Sequence, residues 1–193
     1  MNIVAKTKRF ADSVAFNLRV HGFADRKYLR EVMLPAMAEA EPSNVMLAGT
    51  RRYNTGYPKL FNQQTTAVWT LDFDPRAARF GNGHLHRTCD IREMDRVFSG
   101  IRFDVVHING LLGFGIDTDD DIKRMIEAVH RSLVAGGYMM LGWDADATVD
   151  PSENKTILAR FEHKAFASLP ARHRVVGMKG YDHVFDWFRQ GEL

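Results

Sequence analysis

The sequence is poor in the features that mark several protein classes. It has a single cysteine in 193 residues, Cys89, which excludes an internal disulfide and fits a reducing cytoplasm. It has no apolar run long enough to span a bilayer, and the basic residues near the N-terminus are not followed by the apolar segment of a secretory signal. The formal net charge is only +2, so nothing points to nucleic acid or an acidic membrane surface as a partner. These absences predict a cytoplasmic protein without a membrane or nucleic-acid partner.

What is present indicates one α/β domain. The length of 193 residues and the apolar fraction of 45% are ordinary for a globular protein that buries its own core. We divide the domain, residues 1–193, into an N-terminal helical cap over residues 1–42 and a core over residues 43–193. Helical periodicity in the cap predicts helices over 7–21 and 25–41.

In the second of these helices, Asp25 is the expected N-cap. Pro35 predicts a kink or a break, because it removes a backbone donor.

Apolar, β-rich runs alternate with helical patterns after residue 43. The runs are NVMLAG (44–49), AVWTLD (67–72), HLHRTCD (84–90), RFDVVHING (102–110) and YMMLGWD (138–144), followed by RVVGM (174–178) and HVFDWFR (183–189). Helical patterns fill 121–137 and 155–169. This order predicts a doubly wound, mostly parallel sheet that is covered on both faces and carries an antiparallel hairpin at its C-terminal edge.

The most informative run is the one that stops at Asp72. A buried strand that ends in a carboxylate is typical of the wall of a ligand crevice at the carboxyl edge of a parallel sheet. Gly49 ends another strand upstream, at roughly the twenty-residue separation seen in nucleoside-binding sheets. Asp74 is better placed to cap the turn that begins at Pro75, which leaves Asp72 for a ligand. The two strand ends together predict a nucleoside-containing ligand.

Taken in order, these motifs resemble the class I S-adenosylmethionine-dependent methyltransferases, from residue 44 to about residue 190. LDFDP is similar to the family's ribose-binding segment, which implies that Asp72 holds the ribose and that Phe73 stacks beside the adenine. CDIREMD is similar to the adenine-binding segment, which implies contacts from Asp90 and from the backbone of Ile91. The resemblance implies a Rossmann-like fold, S-adenosylmethionine as the cofactor and methyl transfer as the activity.

The first loop of the motif set departs from the family pattern. LAGTRRY keeps Gly49, and Thr50 and Arg51 follow it as candidate cofactor ligands. Leu47 stands where the family has an acidic residue, and Arg51 and Tyr53 stand where it has later glycines. This loop leaves two alternatives open, namely a non-catalytic methyltransferase-like subunit that binds a ligand or a partner, and an enzyme that binds a phosphorylated ligand through Arg51 and its neighbour Arg52.

FDVVHINGLLGF is similar to the family's fourth strand and its exit loop. This similarity implies that His107 and Asn109 face the methionine part of the cofactor or the methyl acceptor. Asp144, at the end of the fifth core strand, is the third acceptor-side candidate, and these three residues are the predicted catalytic set. Transfer to a small molecule relies on positioning, with a base only where the acceptor loses a proton.

The acceptor would be held by loops and N-terminal helices, alone or with a second subunit of a homodimer or a heteromer. His84, His86 and Cys89 lack an evident fourth ligand, so no metal is predicted.

Overall fold

The computed structural model describes residues 22–178 and 181–191 and is built on an eight-stranded sheet. Strands β1 to β8 are Asn44–Ala48, Ala67–Asp72, His86–Thr88, Phe103–Asn109, Leu133–Asp144, Phe161–His163, Arg172–Met178 and Tyr181–Gln190. The spatial order is β3-β2-β1-β4-β5-β8, and β1 to β5 run parallel to one another. β8 pairs antiparallel with β5, and its far edge is shared by β6 and β7. The predicted α/β sheet with an antiparallel C-terminal hairpin is confirmed.

Helices cover both faces of this sheet. Helix α1 consists of three consecutive segments, Ala24–Tyr28, Leu29–Met33 and Leu34–Glu39, and α2, α3 and α4 are Met94–Val97, Asp119–Ser132 and Lys155–Leu158. The helix predicted over 7–21 lies outside the described residues. Within the described ranges, no helix is long and apolar enough to cross a bilayer.

Helix α1 differs from its predicted form at Pro35 and at Asp25. The chain stays helical through Pro35, and the segment just before it, Leu29–Met33, is a π-helix. The predicted break is therefore wrong, and the wider π turn before Pro35 accommodates a residue that has no backbone N–H to donate. The N-cap prediction is wrong as well, because the helix begins after Phe23 and Asp25 lies inside the first turn, where it is buried.

Two apolar clusters form the core, one on each face. On one face, Val106, Ile108, Met139 and Leu141 contact the buried side of α3. On the other face, the strand side chains belong to a cluster with α1. Its members include Leu29, Met33, Met37, Val45, Leu47, Val105 and Met140. The carboxyl ends of β1, β2, β3, β4 and β5 therefore lie together at one edge of the sheet.

Two predicted helices are wrong in extent. The helix predicted over 121–137 ends at Ser132, and β5 begins at Leu133, which pairs with Phe103. The helix predicted over 155–169 is helical only in α4 and then becomes β6. In both segments the backbone hydrogen-bonds to the edge of a neighbouring strand, and the helical spacing of apolar residues gives no information about such pairing. An aromatic residue such as Phe161 is also buried equally well in a strand.

Candidate functional site

A cleft of about 190 Å³ lies at the carboxyl edge of the sheet. We call this cavity the main cleft. Its wall is formed by residues that end or follow β1 to β4, and these include Gly49, Arg51, Asp72, Phe73, Asp90, Ile91, Arg92 and Phe114. The order of the strands makes this convergence inevitable, since β1 lies between β2 and β4 and all three point the same way. The sequence-predicted ligands from three separate motifs are thus brought to one cavity.

Asp72 is the anchor of the main cleft. It ends β2, is 3% exposed, and its carboxylate accepts hydrogen bonds from three groups of the chain. Oδ2 accepts from the backbone N of Thr50 at 2.8 Å and from the guanidinium of Arg51, and Oδ1 accepts from the backbone N of Asp74 at 2.9 Å. A carboxylate offers about four acceptor positions. One position therefore remains for a ligand hydroxyl while the three internal bonds stay in place.

The first loop is a fixed turn rather than a flexible glycine stretch. Gly49 has φ of +86°, which favours glycine, and a side chain there would come near the backbone oxygen of Asn109. Asn54 then closes the loop, because its side chain donates to the Gly49 oxygen at 2.7 Å and accepts from the backbone N of Arg51 at 2.8 Å. Arg51 also donates to the Thr50 oxygen at 2.7 Å. The guanidinium is therefore held at Asp72 instead of extending alone into solvent.

Asp90 has a similar arginine partner on the other side of the cleft. It caps the turn that begins at Ile91 by accepting from the backbone N of Arg92 at 2.9 Å, and Arg92 Nη2 donates to its second oxygen at 2.5 Å. These bonds to Arg92 hold the pKa of Asp90 below its usual range. Arg92 in turn reaches Asp121 at the start of α3. Asp90 enters the cleft as a charged group whose two oxygens are already engaged.

Two phenylalanine rings form the apolar part of the cleft. Phe73 is 66% exposed and Phe114 is 59% exposed, and both line the cavity. Large apolar side chains on an open cavity wall are a feature of ligand sites, because they lose water when a flat apolar ligand stacks on them. Sequence reasoning identified Phe73 and missed Phe114, although Phe114 is the last letter of the FDVVHINGLLGF segment.

A second polar group lies at the ends of β4, β5 and the start of β8. His183 Nδ1 lies 2.5 Å from Asp144 Oδ1, and His183 Nε2 lies 3.0 Å from Asn109 Oδ1. We call Asn109, Asp144 and His183 the His183 cluster. Gly142 leaves room for it, since a side chain there would overlap the Asn109 amide. The cluster joins two predicted acceptor-side residues through His183. No spacing along the sequence indicates this histidine, because it is the β5–β8 pairing that brings it near them.

His107 lies apart from this cluster. It is one layer below Asn109 on the same face of β4, buried under α1, and neither ring nitrogen has a hydrogen-bond partner among the described residues. Burial, with a smaller contribution from the charge of Arg26, lowers the pKa of His107 to about 3. His107 is therefore a neutral imidazole that is packed within the core. His84, by contrast, lies in the turn before β3 and not on the strand with His86, so the two do not share a strand face.

The comparisons with known proteins give a clear answer for structure and none for sequence. No family model matches the chain, and no curated protein matches it. Among solved structures, the N-methyltransferase NodS from Bradyrhizobium japonicum in complex with S-adenosylhomocysteine superposes with a TM-score of 0.70 at 14% identity, over 90% of this chain and 91% of NodS.

Two further structures agree with that comparison. A TehB-like S-adenosylmethionine-dependent methyltransferase from Corynebacterium glutamicum gives a TM-score of 0.63 at 17% identity, over 97% of this chain and 99% of its own. The 1,6-didemethyltoxoflavin-N1-methyltransferase from Burkholderia thailandensis, with its substrate and S-adenosylhomocysteine bound, gives 0.58 at 17% identity, over 96% and 90%. The resemblance read from the motifs is confirmed at the level of structure, and the chain has the Rossmann-like fold of the class I S-adenosylmethionine-dependent methyltransferases.

Proposed function

We propose that this protein is an S-adenosylmethionine-dependent methyltransferase that acts on a small-molecule acceptor. The observation that carries the proposal is the buried carboxylate of Asp72 at the end of β2, which keeps an acceptor position open beside two exposed aromatic rings. In a nucleoside-binding sheet this carboxylate is the group that receives the ribose hydroxyls.

The residues present fit the nucleoside part of this cofactor. Asp72 would accept from the ribose, Phe73 and Phe114 would contact the base, and the backbone of Ile91 with the edge of Asp90 would meet its polar rim. Gly49 and Thr50 would form the turn under the ribose, and the positive φ of Gly49 and the hydrogen bond from Thr50 N to Asp72 hold that turn in place.

When bound, S-adenosylmethionine supplies an activated methyl group on a sulfonium. The chain's own contribution to the transfer would be to align the acceptor with that methyl and to exclude water. Asn109 is at the exit of β4, next to Gly49, and its amide can orient an acceptor heteroatom. His183 lies between Asp144 and Asn109 and contacts one with each ring nitrogen, so it would hold the Asn109 side chain in position at the exit of β4.

Several observations support a small acceptor. Among the described residues, strand-exit loops line the main cleft, and the net charge of +2 is low for a protein that binds nucleic acid through a broad basic surface. The Burkholderia structure contains a small-molecule substrate with S-adenosylhomocysteine. Arg51 is held at Asp72, which disfavours the alternative in which it is the main ligand of a phosphate group.

Calorimetry with S-adenosylmethionine, S-adenosylhomocysteine, AMP and a sugar phosphate tests the proposal. We expect saturable binding of both sulfur compounds and weaker binding of the phosphorylated ligands. An Asp72→Ala variant should lose the sulfur compounds, whereas Asp74→Ala, which removes an exposed neighbouring carboxylate, should keep them. No detectable binding of either sulfur compound at millimolar concentration would contradict the proposed function.

A further inference from the structure

The guanidinium of Arg172 holds two carboxylates from different parts of the chain. Arg172, at the start of β7, donates to both oxygens of Asp186 in β8, at 2.7 Å from Nε and 2.8 Å from Nη2. It also donates to both oxygens of Asp150, in the loop after β5, at 2.7 Å from Nη1 and 2.6 Å from Nη2. Asp186 is completely buried and accepts a further bond from the indole N–H of Trp143 at 2.9 Å. Because bidentate pairs fix both distance and angle, Arg172 ties Asp150 to the core of the sheet.

We call residues 145–150 the β5 loop, and Asp150 is the anchor at its far end. At the near end, the backbone N of Ala145 donates to a backbone oxygen of β8 at 2.9 Å. Between these ends, Val149 is 75% exposed, so burial of that side chain does not hold the loop. The bonds from Arg172 hold the pKa of Asp150 below its usual range, so the pair stays charged at neutral pH. The position of the β5 loop therefore depends on the Asp150–Arg172 pair.

The β5 loop packs directly against the turn that carries Phe114. We call residues 111–116 the Phe114 turn. Gly113 lies in this turn with φ of +78°, and a Cβ atom there would lie 3.0 Å from the oxygen of Ala147 and 3.1 Å from its Cβ, so the two backbones leave no room for a side chain between them. The turn is also fixed internally, because the backbone N–H groups of Phe114 and Ile116 donate to the same oxygen at its start, at 3.0 and 3.1 Å. A shift of the β5 loop would therefore move the Phe114 ring as well.

We propose that Asp150 and Arg172 are positioning residues for the main cleft, which hold the β5 loop and, through Ala147, the Phe114 turn. Neither is among the described residues that line the cleft, so their effect on a ligand passes through the turn. This inference rests on the proposed function, because Phe114 is there given contact with the base of the cofactor. It gives the antiparallel end of the sheet a part in cofactor binding in addition to its part in the core.

A double-mutant cycle with Phe114 tests this assignment. Asp150→Asn keeps a side-chain oxygen that can still cap the following turn, but it removes the charge and one acceptor of the pair. In calorimetry it should weaken S-adenosylhomocysteine binding by about 3- to 5-fold, which is less than the loss of the ring itself. In a Phe114→Ala background the same substitution should change the affinity by less than about 2-fold, because the ring through which it acts is gone. Arg174→Gln is the matched control and should change neither affinity, since Arg174 lies on the same strand and pairs with Asp182.

Hydrogen exchange tests the same contact without a ligand. The backbone N–H groups of Phe114 and Ile116 report local opening of the turn, whereas that of Val106, in the middle of β4, reports unfolding of the whole chain. Asp150→Asn should raise exchange in the turn about 3- to 5-fold more than exchange in β4. A residue that only stabilises the fold would not raise the first above the second. Arg172→Lys, which keeps the charge but cannot pair with two carboxylates in bidentate fashion, should behave in the same way.

The other results count against the assignment or against the function. If Asp150→Asn leaves the affinity for S-adenosylhomocysteine unchanged, or weakens it equally with and without the Phe114 ring, the assignment is overturned and the proposed function stands. Exchange in the turn that keeps its ratio to exchange in β4 also overturns the assignment. If the unmodified protein binds no S-adenosylhomocysteine at millimolar concentration, the proposed function fails, and a selective rise in exchange of the turn would still establish that the pair positions it.

Discussion

The main cleft and the His183 cluster lie at the same edge of the sheet but hold their carboxylates in opposite ways. In the cleft, Asp72 and Asp90 are each paired with an arginine, and the cavity is open to solvent on its aromatic side. In the cluster, Asp144 is paired with an imidazole that is 3% exposed. The arginines form ion pairs on the cleft wall, whereas the imidazole joins two side chains, Asp144 and Asn109, through its two ring nitrogens.

The difference separates two tasks that a single crevice must perform. Charge pairs that do not titrate give a constant binding surface, which suits a ligand whose recognition is the same in every turnover. A buried imidazole that is held at both nitrogens fixes the side chains around it, which suits the side where an acceptor must be aligned. Variants of the main cleft and of the His183 cluster should show whether burial and pairing differ between them, and the largest effect is expected at Asp72.

Removal of Asp72 should cost the most stability. Asp72→Ala leaves the backbone N of Thr50 and of Asp74 without their acceptor and Arg51 without its anion, so we expect a loss of about 3 to 5 kcal/mol in the free energy of unfolding. Asp144→Ala removes a single partner of His183 and should cost about half as much. Urea unfolding of both variants, with unchanged m-values, measures the two losses. Equal losses would show that the main cleft is no more tightly built than the His183 cluster.

The next effect is the pH dependence that His107 gives to stability. Its folded pKa of about 3 lies below the ordinary value of 6.5, so the unfolded state binds the proton more readily. The stability contribution is therefore complete above pH 6.5 and falls as the pH drops toward 3, by about 2 kcal/mol at pH 5. His107→Leu should remove this fall, which urea unfolding at pH 8 and pH 5 would measure.

Other histidines make the control for this experiment necessary. Burial also lowers the pKa of His86, His130 and His173, so the unmodified protein loses stability from these groups over the same pH range. His130→Leu is the matched control, because that ring is far less enclosed than His107. If the two variants change the pH dependence equally, the burial of His107 is not the cause.

Much of the fold was predictable because its core strands carry their own signals. The β1, β2 and β4 runs are apolar and β-rich and are closed by a glycine or a polar residue, and each forms a strand as predicted. The strand β6 at the C-terminal edge of the sheet could not be predicted in the same way. Phe161 has the spacing of a buried helical face, and what makes it a strand residue is the free edge of β8, more than twenty residues later in the chain.

The site was predictable where a motif is contiguous and not where pairing assembles it. Asp72, Phe73, Asp90 and Ile91 belong to short segments and converge as expected in one cleft. His183 reaches Asp144 only through the β5–β8 register, and Arg92 reaches Asp121 only because the turn at Ile91 packs against α3. Sequence spacing holds no record of either contact.

A smaller effect should distinguish the two aromatic walls of the main cleft from its charged ones. Loss of one base-stacking ring costs on the order of 1 to 3 kcal/mol in nucleic-acid sites, so Phe114→Ala should weaken S-adenosylhomocysteine binding by about 10-fold. Phe73→Ala should have a similar effect, and Phe114→Leu, which keeps apolar contact without a flat ring, should lie between. Calorimetry measures all three. Exposed Val149, outside the cleft, supplies the control variant Val149→Ala, which should have no effect.

The smallest effect should be a gain. Arg51 occupies Oδ2 of Asp72 in the main cleft, and its side chain is 47% exposed, so its charge partly neutralises the carboxylate that a ribose hydroxyl would meet at Oδ1. Arg51→Ala removes this neutralising charge and should tighten S-adenosylhomocysteine binding by about 5-fold, whereas Arg52→Ala, one residue further along the loop, should not. Because exposed charge pairs contribute about 0 to 1 kcal/mol, the gain cannot be much larger. A loss of affinity in Arg51→Ala would mean that the guanidinium is itself a ligand of the cofactor.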